Sequence, residues 1–355
     1  MGRFTSFIRP RKSAGKKLFI HAGTHKTGTS FFQHAVYLNS DQLRESGIWY
    51  PETGLGIKTN HNQFAHRVLG IDIAAGKKNR FPAIIEELNQ DTSLHTALVS
   101  YEGFSHPQAI GKLCEQKGVF DEVDLHVILA FRPHIDLAIS LYRELCQHVS
   151  FQGSLHDLMH AKTARARHWE QCLHYGDALK NWRRIVPKKN IHAFSYRKIS
   201  KDILGALMPV VGSDDTMSLH ENSVRNQSLS APFAALMRLI NRQDLSTKVR
   251  HRLAGEVATV DADFPEFSHY CEISHDRAVE IETDFAKDRK ALRRYGLDPV
   301  TDLTIDEHWR WGDKTDMSAA TLDAHEALID HLKNIDDTGL LEVAKAATKE
   351  LKNAK

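Results

Sequence analysis

An α/β fold, with a mostly parallel central sheet flanked by helices and helical additions toward the C-terminus, is predicted by three observations. Short apolar runs alternate with helical patterns through the first two thirds of the chain. A glycine-containing turn joins the first of these runs to the first helical pattern. From Ala231 onward the pattern is helical, with no convincing strand.

Taken in order, residues 1–16 read as a disordered basic lead-in. Lys17 to Ala22 is a short buried strand, Gly23 to Gly28 a turn, and Thr29 to Leu38 a helix. Residues 46–62 form a long loop rich in Gly, Asn and Thr, followed by helical patterns at 64–69 and 81–88. Thr96 to Ser100 is the second strand, and Val123 to Phe131 the third, rich in apolar and β-branched residues. Pro133 follows, then an amphipathic helix from Ile135 to His148. A helix around Trp182 precedes the fourth strand, Ile191 to Tyr196, and the helix from Ile203 stops at Gly212. Residues 318–352 read as two amphipathic helices broken near Asp336 to Gly339. The organisation expected is one domain over 17–297 and a helical extension over 298–355. Ligands of such sheets bind outside the carboxyl ends of the strands.

Composition narrows the function. The 355 residues carry 47 Lys+Arg against 45 Asp+Glu, a formal net charge of +2. That balance argues against a dedicated nucleic-acid binder. With 41% hydrophobic and 26% charged residues, the chain is neither disordered nor fibrous. Cys114, Cys146, Cys172 and Cys271 form no CxxC and read as reduced thiols of a cytoplasmic protein. No apolar run is long enough for a bilayer, and none resembles a signal peptide. The pairs His156/His160 and His61/His66 lack a third ligand at a recognisable spacing, so no metal is expected.

The most informative stretch is Gly23-Thr24-His25-Lys26-Thr27-Gly28-Thr29-Ser30, entered by a strand and left by a helix. Amides at a helix N-terminus lack intrahelical partners, and the helix dipole adds positive potential there. Glycines let the backbone curl around an anion, Lys26 supplies a full charge, and Thr29 and Ser30 supply hydroxyl donors. In the nucleotide-triphosphatase loop the lysine follows the second glycine. Here Lys26 precedes Gly28 by two positions, and Thr29 stands where that lysine would be.

The order K-T-G-T-S resembles the 5′-phosphosulfate loop of sulfotransferases that use 3′-phosphoadenosine 5′-phosphosulfate (PAPS). A second element agrees: Arg132 closes the third strand, Ser140 lies eight residues on, and Tyr142 follows, as in that family's 3′-phosphate element. A third, Arg225-Asn226-Gln227-Ser228-Leu229-Ser230, resembles a segment of bacterial sulfotransferase-like proteins that feeds a helix ending in Asn, here Asn241. The likeness spans roughly residues 17–297. It implies a P-loop nucleotide-binding fold and sulfuryl transfer by in-line displacement from PAPS to an acceptor hydroxyl or amine. Carbohydrate is the favoured acceptor. Gly23 to Ser30, Arg132, Ser140, Arg225 and Asn226 would hold the donor, Lys26 would stabilise the leaving phosphate, and no metal is demanded.

A hydroxyl acceptor needs a general base. Glu102 directly follows the second strand, and His61 lies in the loop Asn60-His61-Asn62. Sulfotransferases use either residue type, so the resemblance leaves both open. Two other readings remain: a non-catalytic nucleotide binder of the same fold, and a P-loop nucleotide kinase. The lysine position and Arg132 at the strand end, where a Walker-type Asp would sit, disfavour the kinase.

Overall fold

The computed structural model describes residues 15–56, 59–62, 81–160, 169–213, 228–298, 302–303, 305, 308–314 and 316–353. The expected helix at 64–69, with Arg225 and Asn226, lies outside them. Five strands form one sheet: β1 (Lys17–Gly23), β2 (Ile48–Trp49), β3 (Thr96–Ser100), β4 (Asp124–Phe131) and β5 (Ile191–Ser195). Their order is β2-β3-β1-β4-β5, and every pairing is parallel. The α/β class that the sequence predicts is therefore the class observed. Parallel neighbours require long crossovers, which here carry the helices.

Among the described residues the helices of eight residues or more are α1 (Thr29–Leu38), α2 (Phe81–Gln90), α3 (Pro107–Glu115), α4 (His134–His148), α5 (Tyr175–Trp182), α6 (Ile203–Val211), α7 (Ala231–Asn241), α8 (Thr247–Asp261), α9 (His275–Asp284), α10 (Met317–Asn334) and α11 (Thr338–Asn353). The break between the last two falls at Ile335 to Asp337, where Asp336 takes a left-handed φ of 53°. β2 differs from expectation, because it lies inside the stretch read as loop. Ile48 and Trp49 pair with Thr96 and Ala97. Two residues are too few to show a periodicity, so the edge strand is made by its neighbour.

The chain divides into two compact units. The first takes Met1–Phe131, Tyr175–Val224 and Ala291–Asp298. It holds the whole sheet. β1 is central, and successive strands lie first on its β3 side and then on its β4 side, so the strand order reverses around the loop that leaves β1. That is where open α/β sheets bind ligands. One face of the sheet is covered by α1 and α6, through Phe32, Val36, Ile203 and Leu207 packed with Phe19 and Ile128. On the opposite face Leu18, Ile20, Val99 and Val127 are also fully buried.

The second unit takes Arg132–His174, Arg225–Lys290 and Pro299–Lys355, and its longer elements are all helices. Asn241, wholly buried at the end of α7, donates to Cys146 O at 2.7 Å and Phe151 O at 3.2 Å, tying the end of α4. Ser230 occupies the N-cap position of α7, where serine is a favoured residue. Its hydroxyl donates to Asp261 Oδ1 at 2.6 Å, and its amide to Asp261 Oδ2 at 2.8 Å. Both bonds go to the Asp261 carboxylate, and among the described residues the Ser230 hydroxyl accepts no cap bond from the helix. The four cysteines are buried free thiols.

Candidate functional site

The first unit builds its site from the loop after β1. Three residues there have positive φ: Gly23 at 83°, Lys26 at 59° and Gly28 at 74°. Lys26 has a Cβ, so its left-handed backbone costs of order 1–3 kcal/mol and is held by its surroundings. The holding bonds are specific. Thr24 donates from both its amide and its hydroxyl to Ala130 O, each at 3.0 Å. The Thr27 hydroxyl donates to Thr24 O at 2.6 Å. The β1–β4 register also shifts between His21 and Gly23, releasing the chain from the ladder as the loop begins.

Gly28 stands at the N-cap of α1, and the first bond of that helix runs from the Phe32 amide to Gly28 O at 3.1 Å. The amides of Gly28, Thr29, Ser30 and Phe31 thus precede the helical ladder. Alternating left- and right-handed backbone ahead of a helix N-terminus makes a concave nest for an anion. A Cβ at Gly28 would come within 2.2 Å of Ile203 Cδ1, so both φ and packing demand glycine there. Thr24, Thr27 and Thr29 are buried, His25 and Lys26 half-buried, and Ser30 exposed.

Glu102 follows β3 by two residues and opens a single 3-10 turn, Glu102–Ser105. The Tyr101 amide donates to His21 O at 3.0 Å, which sets the chain beside the end of β1. A Cβ built on Gly23 would lie 3.0 Å from Glu102 Cβ. The Glu102 side chain therefore starts against the first residue of the loop. Gln33, 1% exposed on α1, donates from Nε2 to Glu102 Oε2 at 3.1 Å. Two phenols feel this carboxylate. Burial first, then the Glu102 charge, pushes Tyr101 up to about 12 and raises Tyr50 as well. Tyr50 Oη donates to Thr59 O at 2.9 Å.

His61 is placed differently. It is fully buried, and its Nε2 donates to Pro51 O at 2.9 Å. Its Nδ1 accepts the Ser100 amide at 3.1 Å, while its own amide donates to Ser100 O at 2.9 Å. Burial pushes the imidazole down to about 4, against weaker raising by the two backbone bonds. Taking a proton at Nδ1 would break the bond from Ser100, so the ring is arranged as a tie rather than as a base. His21 is similar, buried and pushed down to about 3, with Nδ1 2.7 Å from Ser100 Oγ.

Arg132 and Ser140 belong to the second unit. Arg132 follows β4 directly, two residues after Ala130, and Ser140 lies on α4; both are half-buried. Tyr142 is buried on the same helix. His156 and His160 each accept a hydrogen bond from Arg277. Sequence reasoning missed Gln33 and Tyr101. A glutamine on the buried face of an apolar helix was the available signal.

No protein-family model matches the chain, and no curated protein does. Among solved structures, a sulfotransferase from Alicyclobacillus acidocaldarius superposes with a TM-score of 0.39 and 16% identity, over 64% of this chain and 96% of that one. A likeness of that size carries no argument about function.

Proposed function

We propose that the protein is a PAPS-dependent sulfotransferase, acting in the cytoplasm on a hydroxyl or amine, with a carbohydrate as the favoured acceptor. The observation that carries the reading is the loop Gly23 to Ser30, with three left-handed residues, a lysine among them, and the Glu102 side chain starting against its first glycine. The order of residues in that loop supplies the choice of sulfate donor over a nucleoside triphosphate. In this reading the catalytic domain spans 17–297, and 298–355 is an addition to it.

The donor supplies an activated sulfuryl group. The residues of the chain supply position and charge. Loop amides and the hydroxyls of Thr29 and Ser30 bind the 5′-phosphate end, and Lys26 stabilises the charge that builds on the leaving phosphate. Arg132 binds the 3′-phosphate as a fork, assisted by Ser140, with Arg225 and Asn226 covering the nucleotide. Glu102 takes the acceptor proton. Of the two bases that the sequence leaves open, Glu102 is favoured because it lies at the loop and because the lone pair of His61 is occupied by the Ser100 amide. No metal is needed in this scheme.

Thermal unfolding with 3′-phosphoadenosine 5′-phosphate, beside ATP with magnesium, tests it. At a hundred times its dissociation constant, a ligand specific for the folded state adds about 2.7 kcal/mol. The expected result is stabilisation by the bisphosphate that Lys26→Ala and Arg132→Ala abolish. Stabilisation by ATP–magnesium alone would replace this reading with the kinase, and no response to either would remove the nucleotide site.

A further inference from the structure

We infer that Gln33 is a positioning residue for Glu102: its side-chain amide fixes the carboxylate toward the mouth of the phosphate loop. The inference rests on the reading of Glu102 as the base. Gln33 is buried at 1% exposure on α1, the helix that the loop itself nucleates, so it moves with the loop. A buried polar side chain in a helix face otherwise filled by Phe32, Ala35 and Val36 costs free energy unless its hydrogen bonds are made. The bond it makes is to Glu102 Oε2 at 3.1 Å. Facing a carboxylate, the amide must present its NH2, because its oxygen would be repelled.

Glu102 has few other holds. Among the described residues Gln33 is the one hydrogen-bond donor to its carboxylate, and no ion pair is made there. Tyr50 directs its hydroxyl to Thr59 O instead. An amide suits the purpose better than a cation would. It orients one carboxylate oxygen without cancelling the charge. It also spans two elements that sequence does not connect: α1 after β1, and the 3-10 turn after β3.

A double-mutant cycle tests the inference on the full chain, with Gln33→Met, Glu102→Gln and both together, and Gln33→Leu as a second apolar replacement should Gln33→Met not fold. Denaturant unfolding reads whether the two side chains are coupled. Turnover of PAPS to the bisphosphate, with a panel of neutral and amino-sugar oligosaccharides as acceptors, reads the role. The expected result is measurable coupling in unfolding, and a kcat lowered about ten- to a hundredfold by Gln33→Met, the size of a hydrogen bond to a charged group. KM for PAPS and the stabilisation by bisphosphate should not change. In the Glu102→Gln background the Gln33 replacement should lower kcat no further, because there is no carboxylate left to position.

Wild-type turnover with an unchanged kcat in Gln33→Met, or with losses that simply multiply in the double variant, would overturn the inference and leave the sulfotransferase reading intact. Absence of coupling in unfolding would also overturn it. A wild-type protein that binds the bisphosphate but turns over no PAPS would overturn the catalytic reading, and the inference with it.

Discussion

The phosphate loop of the first unit and the ion-pair lattice of the second treat buried polar groups in opposite ways. In the second unit, several buried charges are paired internally. Arg143, 4% exposed, donates to Glu272 at 2.7 Å and to Tyr270 O at 2.5 Å, with Trp309 stacked over its guanidinium. Trp309 in turn donates to Asp136 Oδ1 at 2.9 Å. Glu282 accepts the Ile135 amide at 2.8 Å and pairs with Arg289. Each charge there is spent on holding helices together. In the first unit the loop amides precede the helical ladder, Lys26 sits in a costly backbone conformation, and Glu102 is held by an uncharged amide. The comparison teaches that paired charge ties segments of the second unit together, while the loop after β1 combines a left-handed lysine with a neighbouring glutamate held by an amide, the combination the proposed function uses.

The sharpest way to break this contrast is to neutralise one glutamate in each unit. Glu102→Gln should lower kcat by about 10²- to 10⁴-fold, the usual worth of a general base, with bisphosphate binding retained. If turnover survives, the contrast fails where it matters most. Glu272→Leu should do the reverse. Stranding the buried Arg143 should cost about 3–5 kcal/mol in denaturant unfolding, and an added Arg143→Met should recover part of that loss. A stability change below 1 kcal/mol would show that the pair is not the scaffold described here.

A smaller effect is expected at the loop's hinge. Gly28→Ala must place a Cβ at φ 74° and 2.2 Å from Ile203 Cδ1. The expected cost is about 1–3 kcal/mol together with weakened bisphosphate binding. An unchanged unfolding midpoint would show that the loop does not need its left-handed geometry. The remaining effect is in the pH dependence. His21 and His61 are held near 3 and 4, below the unfolded value of about 6.5. Above about pH 6.5 both states are neutral and stability is complete. As pH falls toward 4 the unfolded chain takes up the protons, and stability drops by up to about 1.4 kcal/mol per pH unit for each imidazole. His61→Asn should flatten that slope; identical slopes for variant and wild type would refute the assignment.

Much of the frame was legible because it depends on short-range pattern. The runs at Lys17, Thr96, Val123 and Ile191 are apolar enough to be strands wherever they pack, and Gly23, Gly28 and Gly212 mark turns where only left-handed backbone closes. β2 was illegible because two residues carry no period and its pairing belongs to β3. The loop was legible as a glycine-containing turn between strand and helix, because that geometry is contained in eight consecutive residues. The partners of Glu102 were not, because Gln33 lies 69 positions away and a glutamine on the buried face of a helix does not say which group it meets. The histidines show the limit most plainly. His61 looks like a candidate base in a polar loop, and only the fold reveals that it is buried with Pro51 and Ser100 on its two nitrogens.

By itself, then, the sequence determined the α/β class and the strand–turn–helix that carries Gly23 and Gly28 in left-handed backbone. These follow from the period of apolar residues and from local backbone geometry, which neighbouring residues decide. Only the tertiary structure decided which glutamate stands against the loop, which amide holds it and which histidine is withdrawn into the core. Those outcomes depend on burial and on hydrogen bonds between segments far apart in the chain, and no short-range rule contains them.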